Sequence, residues 1–149
     1  MKPIVTWILI ADGARARVLE NTGPGKGLRE VEGFEFADAR LRARDIMADR
    51  AGRSFASVGH SRSAMESPTD PVDKREADFA RSLAVMLEKQ RRVGAFDRLI
   101  LVAAPNALGD LRASLTPRVR AIVYAELSKD LTKVPNAEMA KHLEGVLAV

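Results

Sequence analysis

From Pro3 to Ile10 the chain is almost uninterruptedly apolar, and its Ile, Val, Thr and Trp residues are strand formers, so a β-strand covered on both faces is predicted there. Asp12-Gly13 follows as a hairpin-turn signal. The return strand is predicted over about Arg15 to Glu20. Arg15 and Arg17 fall on one of its faces and Ala16 and Val18 on the other, which directs the arginines to solvent or to a ligand. A turn-rich connector from Asn21 to Gly27 leads to a third strand over about Leu28 to Phe36, with Val31, Phe34 and Phe36 as its apolar members. These three strands make an antiparallel meander.

The second half of the chain changes period. Asp70-Pro71-Val72-Asp73 opens a helix, with an N-cap residue, proline at the first position and an acid in the first turn, and Gly94 closes it after about Val93. Phe79, Leu83, Met86 and Leu87 recur at helical spacing, while Lys74, Asp78, Arg81, Glu88 and Arg92 line the other side. Arg98 to Ala104 is a short apolar run of the kind buried parallel strands show. A short helix over about Ala107 to Ser114 and a strand over about Arg120 to Leu127 follow. A last helix begins at Pro135, with Met139, Leu143, Val146 and Leu147 as its stripe.

The order βββαβαβα implies one α/β domain over residues 1–149: a ribonuclease H-like, three-layer arrangement around a five-stranded mixed sheet, because each right-handed crossover lays its helix back on the sheet. The Leu99 strand is expected beside the first strand and parallel to it. The C-terminal ends of three strands then share one rim, the usual ligand side of open α/β sheets. Asp12, Asn106, Glu126, Lys129 and Asp130 are the residues expected there.

Residues 37–70 show neither period, apart from a possible short helix over Leu41 to Asp49. They carry Arg40, Arg42, Arg44, Arg50, Arg53 and Arg62 among Ser, Gly and Asp. Connections this long are uncommon inside compact domains unless they have a function of their own.

Composition narrows the chemistry. With no cysteine in 149 residues, disulfides and thiolate metal sites are excluded, and His60 and His142 are too few for a histidine-based metal centre. A net charge of +4, with arginine as the dominant cation, favours a polyanionic partner. Lys2, the apolar Ile4–Ala11 stretch and Ala14-Arg15-Ala16 have the spacing of an export signal, but the stretch is short and strand-forming, so a cytoplasmic, reducing location is expected. No apolar run reaches the roughly 20 residues that span a bilayer.

Two motifs carry a family resemblance. The opening Trp7-Ile8-Leu9-Ile10-Ala11-Asp12-Gly13-Ala14-Arg15-Ala16-Arg17-Val18 and the closing Glu126-Leu127-Ser128-Lys129-Asp130-Leu131-Thr132-Lys133-Val134-Pro135, with Lys141-His142-Leu143 behind it, resemble the bacterial host attachment protein family, nearly end to end. The family takes its name from attachment of bacteria to host cells. The resemblance implies a fold similar to the middle domain of eukaryotic and archaeal peptide-chain release factors. There the segment before the long helix carries a hydrolytic Gly-Gly-Gln. Gly52 to Asp70 holds neither a glutamine nor a Gly-Gly pair, so no hydrolytic residue carries over.

Three functional readings follow. The leading one is a non-catalytic binding module that contacts RNA, the ribosome or a protein partner through Arg15, Arg17, Arg40, Arg42, Arg44, Arg53 and Arg62, since arginine pairs bidentately with phosphate. Against it stands a solvated loop whose charges are offset by Asp38, Asp45, Asp49, Glu66, Asp70 and Asp73, with Phe55 as its only ring. The second reading is an RNase H-like hydrolase using Asp12, Glu126 and Asp130 on divalent metal, although the fourth strand offers no carboxylate. The third is a surface protein acting directly in attachment. No catalytic residue, metal site or cofactor is expected. Lys129 is expected to bridge to Asp12 across the rim, and Arg112, Arg118 and Arg120 to form a further basic strip.

Overall fold

A computed structural model of the chain describes residues 2–39, 41 and 71–149. The possible helix over 41–49, the Asp70 N-cap and Arg40, Arg42, Arg44, Arg53 and Arg62 lie outside these residues, Leu41 excepted.

Strands β1 (Thr6–Ala11), β2 (Arg15–Asn21) and β3 (Arg29–Ala37) form the antiparallel meander. Helix α1 (Pro71–Arg92) leads to β4 (Arg98–Ala103), α2 (Pro105–Ser114), the short α3 (Pro117–Ala121), β5 (Val123–Leu127) and α4 (Asn136–Leu143). The sheet order is β3-β2-β1-β4-β5, with β4 parallel to β1 and β5 parallel to β4, which is the mixed five-stranded sheet and ribonuclease H-like order expected. Among the described residues no helix is long and apolar enough to cross a membrane.

β1 and β4 are neighbours inside the sheet and are covered on both faces from Trp7 to Ala11 and from Leu99 to Ala103, which is why both are apolar through those runs instead of alternating. On one face Trp7, Leu9, Val18, Leu99 and Leu101 pack with Phe79, Leu83 and Leu87 of α1 and Leu108 and Leu111 of α2. On the other, Ile8, Ile10, Leu19, Ile100 and Val102 meet Met139 and Leu143 of α4, with Leu131 and Leu147 from the flanking turns. α1 carries Asp73 in its first turn and Lys89, Arg91 and Arg92 in its last, charges that suit the helix dipole. Gly94, at φ +75°, supplies the left-handed residue that lets the chain turn away after it.

The structure departs from the sequence-based expectation at three points. The predicted Arg120 strand starts only at Val123, because Thr116 Oγ1 accepts from Val119 N at 3.2 Å and Pro117 occupies the first helical position, winding 117–121 into a helical turn. α2 begins at Pro105 rather than Ala107 for the same proline reason. The last helix ends at Leu143, and Leu147 is buried from the turn beyond it.

Candidate functional site at the strand rim

The β1–β2 turn dominates the rim. Asp12 N–H donates to Arg15 O at 2.9 Å, so the two central residues are Gly13 and Ala14 rather than Asp12 and Gly13, and neither has positive φ. The turn is held instead by the Asp12 carboxylate. Oδ1 accepts from the N–H groups of Ala14 and Arg15 at 2.8 Å each, and Oδ2 accepts from Arg15 Nε at 2.9 Å. Gly13 serves a different purpose from a primed turn: a Cβ there would lie 2.3 Å from Glu76 Oε2 on α1.

Thr132 links the turn to the loop after β5. Its hydroxyl lies 2.6 Å from Asp130 Oδ1 and 3.3 Å from Asp12 Oδ2, and having one proton it donates to the nearer Asp130. Its N–H also bonds Asp130 Oδ1, at 3.1 Å. Asp12 and Asp130 are therefore brought to either side of one threonine, as the strand-rim expectation requires, but through Thr132 rather than Lys129. Lys129 is exposed and forms no ion pair with Asp12, whose cation is Arg15. Glu126 does not join them. Its register partner is Leu101, which places it on the α1–α2 face of the sheet, where Arg112 of α2 holds it through Nε at 2.8 Å and through Nη2.

Asn106 does come to the rim. It is exposed at the start of α2 and lines a depression of about 220 Å³ with Asp12, Gly13, Glu76 and Asp110. The sequence offered no reason to place Glu76 or Asp110 there, since each reaches the rim from a helix whose position depends on the crossover. Among the described residues no three acidic or histidine side chains are arranged to hold a metal ion.

Arg15 and Arg17 lie on the opposite face, in a second depression of about 250 Å³ shared with Glu35, Ala37 and Thr132. Their situations differ. Arg17 points neither to solvent nor to an open ligand site, because it donates through Nε to Asn136 Oδ1 at 2.7 Å, through Nη1 to Thr132 O at 2.9 Å and through Nη2 to Val134 O. Burial pulls its pKa below the usual guanidinium value, and Glu35 and Glu30 push it back up. Arg15 uses only Nε on Asp12, leaving its Nη groups without a hydrogen bond among the described residues. Arg15 pairs across the strands with Ala37, the last residue of β3.

The base of the arginine-bearing segment is tied down at this rim. Asp38 N–H donates to Ala14 O at 2.8 Å, its Oδ1 accepts from Leu41 N at 3.2 Å, and its Oδ2 lies 3.4 Å from Arg75 Nε on α1. Leu41 itself is buried.

The molecule is thus an open-sheet α/β domain with a carboxylate-stapled hairpin at the rim where β1 and β4 end. The chain belongs to the family described as "protein required for attachment to host cells", whose model matches residues 7–143. No match is found among curated proteins.

Proposed function

We propose that this host attachment family member is a non-catalytic, cytoplasmic binding module that contacts RNA, free or ribosomal, through the segment beginning at Arg40, with Arg15 as its anchor on the sheet. The observation that carries this reading is the pairing of Arg15 with Ala37, which sets a guanidinium whose Nη groups are unengaged among the described residues beside the end of β3, two residues before Ala39, the last described residue ahead of Arg40. Between Arg40 and Arg62 six arginines stand against Asp45 and Asp49 alone, an excess as large as the net charge of the whole chain. Such a segment neutralises phosphates, and its affinity falls with salt through counterion release. The resemblance of the two terminal motifs, which implies a fold similar to the middle domain of peptide-chain release factors, favours a ribosomal partner.

The rim favours binding over hydrolysis. Asp12 is engaged by two backbone N–H groups and Arg15, Asp130 by Thr132, and Glu126 by Arg112 on the other face. Metal-assisted phosphodiester cleavage wants carboxylates converging with open oxygens.

The test is binding of a structured RNA across a salt series. The parent is expected to bind at low salt, and neutralising Arg40, Arg42, Arg44 and Arg53 to flatten the dependence by roughly one unit of slope for each phosphate no longer neutralised. No affinity at low salt sinks the reading. Multiple turnover of that RNA with Mg²⁺, abolished by Asp12→Asn with Asp130→Asn, would replace it with the hydrolase.

A further inference from the structure

The basic strip expected of Arg112, Arg118 and Arg120 is taken apart by the fold. Arg112 is committed to Glu126, and Arg120 donates to Leu115 O at 3.0 Å. Arg118 is left exposed, with no hydrogen bond or ion pair among the described residues. It faces a cleft of about 460 Å³ between the last turn of α1 and the start of α3, together with Glu88, Arg91, Arg92, Thr116 and Pro117. Glu88 and the Glu76 of the rim are twelve residues apart on α1, so roughly 18 Å of helix separates this cleft from the rim.

Glu88 organises the cleft. Its carboxylate accepts from Arg91 Nε and Nη2 at 3.1 and 2.9 Å, from Arg92 Nε at 2.6 Å and from Thr116 Oγ1 at 2.9 Å. These bonds hold the Arg91 guanidinium at two nitrogens and that of Arg92 at Nε. The Nη1 group of Arg91 and both Nη groups of Arg92 make no bond among the described residues. One carboxylate therefore holds two arginines at the cleft, and Arg118 adds a third, so the cleft keeps an excess of two positive charges. Carboxylate-held guanidinium forks are pre-organised donors for tetrahedral oxyanions, since the entropy of orienting them has already been lost.

We propose that this cleft binds a compact phosphorylated ligand of the diphosphate class, at a site separate from the rim. Its volume exceeds what one phosphate fills and lies in the range of small-molecule pockets. Three guanidinium groups lining one cavity suit clustered phosphates rather than an extended backbone. Glu88 is a positioning residue here, and Arg92 and Arg118 contribute the free donors.

The probe is inorganic pyrophosphate, titrated calorimetrically into the full chain at low salt. Saturable one-to-one binding is expected. Arg92→Ala and Arg118→Ala should each weaken it roughly tenfold, the scale of a single charge-assisted hydrogen bond, with the fold checked by circular dichroism. Lys89→Ala, which alters an exposed neighbour outside the cleft lining, should leave the affinity within about twofold, as should neutralising Arg40, Arg42, Arg44 and Arg53. That last arm separates this site from the RNA reading. The proposal is overturned if binding does not saturate, if Lys89→Ala costs as much as Arg118→Ala, if affinity follows the Arg40–Arg53 set, or if inorganic phosphate binds as tightly as pyrophosphate.

Discussion

On the α1 face of the sheet, Leu83 and Leu87 reach Leu99 and Leu101 through apolar contact alone, and two helices, α1 and α2, together cover that side of the strands. On the α4 face an eight-residue helix offers only Met139 and Leu143, and β2 is closed instead by Arg17, which ties its guanidinium to Thr132, Val134 and Asn136. The first face is held by area, and the second by a smaller apolar cluster together with a planar fork whose donors match three acceptors. Alternation along β2 says only that Arg15 and Arg17 share a side. Whether a cation there is a staple or a ligand donor depends on the loop that lands on it, and that loop arrives from 115 residues further along the chain.

Truncation on the apolar face should have the largest effect. Leu87→Ala removes a fully buried side chain from the α1 stripe and is expected to cost about 2–5 kcal/mol in urea unfolding. A smaller loss would mean that the helix can settle into the space. Arg17→Ala should follow at about 2 kcal/mol, since it strands two backbone carbonyls and an amide oxygen that are partly shielded. Arg17→Lys should recover little, because an ammonium cannot span the three acceptors. Amide exchange at Thr132 and Val134, whose N–H groups donate to Asp130 Oδ1 and Leu131 O, should quicken in both variants while Leu83 and Leu87 stay protected, and uniform quickening would contradict the division between faces. Gly13→Ala is expected to cost about 1 kcal/mol as Glu76 is pushed aside, and Glu76→Ala in the same chain should relieve most of it in a double-mutant cycle.

The smallest effect should come from acid. Arg91, first among its partners, holds the Glu88 carboxyl at about 2, below its ordinary 4.5. A depressed acid contributes stability above its unfolded pKa and loses it as pH falls through the folded one, so this contribution should fade between about pH 4.5 and 2. Glu88→Gln should flatten the unfolding midpoint over that window. An unchanged profile would show that the network at the end of α1 is too solvated to count.

Much of the rim is legible in the sequence. Asp12 follows from turn chemistry and Asn106 from the end of an apolar run, because both signals are local. The mixed sheet follows from element order, since few compact solutions exist for βββαβαβα. Glu126 is misplaced by such reasoning because counting residues to the strand end does not say which face a side chain takes. A register shift between Leu99 and Ile100 against β5, with Tyr124 as the extra residue under Arg98, decides that. Thr132 is within reach, since Asp130-x-Thr132 has the spacing of a side-chain turn.

By itself the sequence determined the first four strands, the long helix with its stripe and stop at Gly94, the absence of thiol chemistry and the arginine excess after β3, because each depends on residue type and on neighbours within a few positions. Only the tertiary structure decided which cations are engaged and which are free. Arg17 and Arg112 are consumed by loop and helix partners, Arg15 and Arg92 are held at one edge, and Arg118 is left open among the described residues. An ion pair between distant segments has no signature in composition or period, because its energy depends on a distance that exists only after the core has packed.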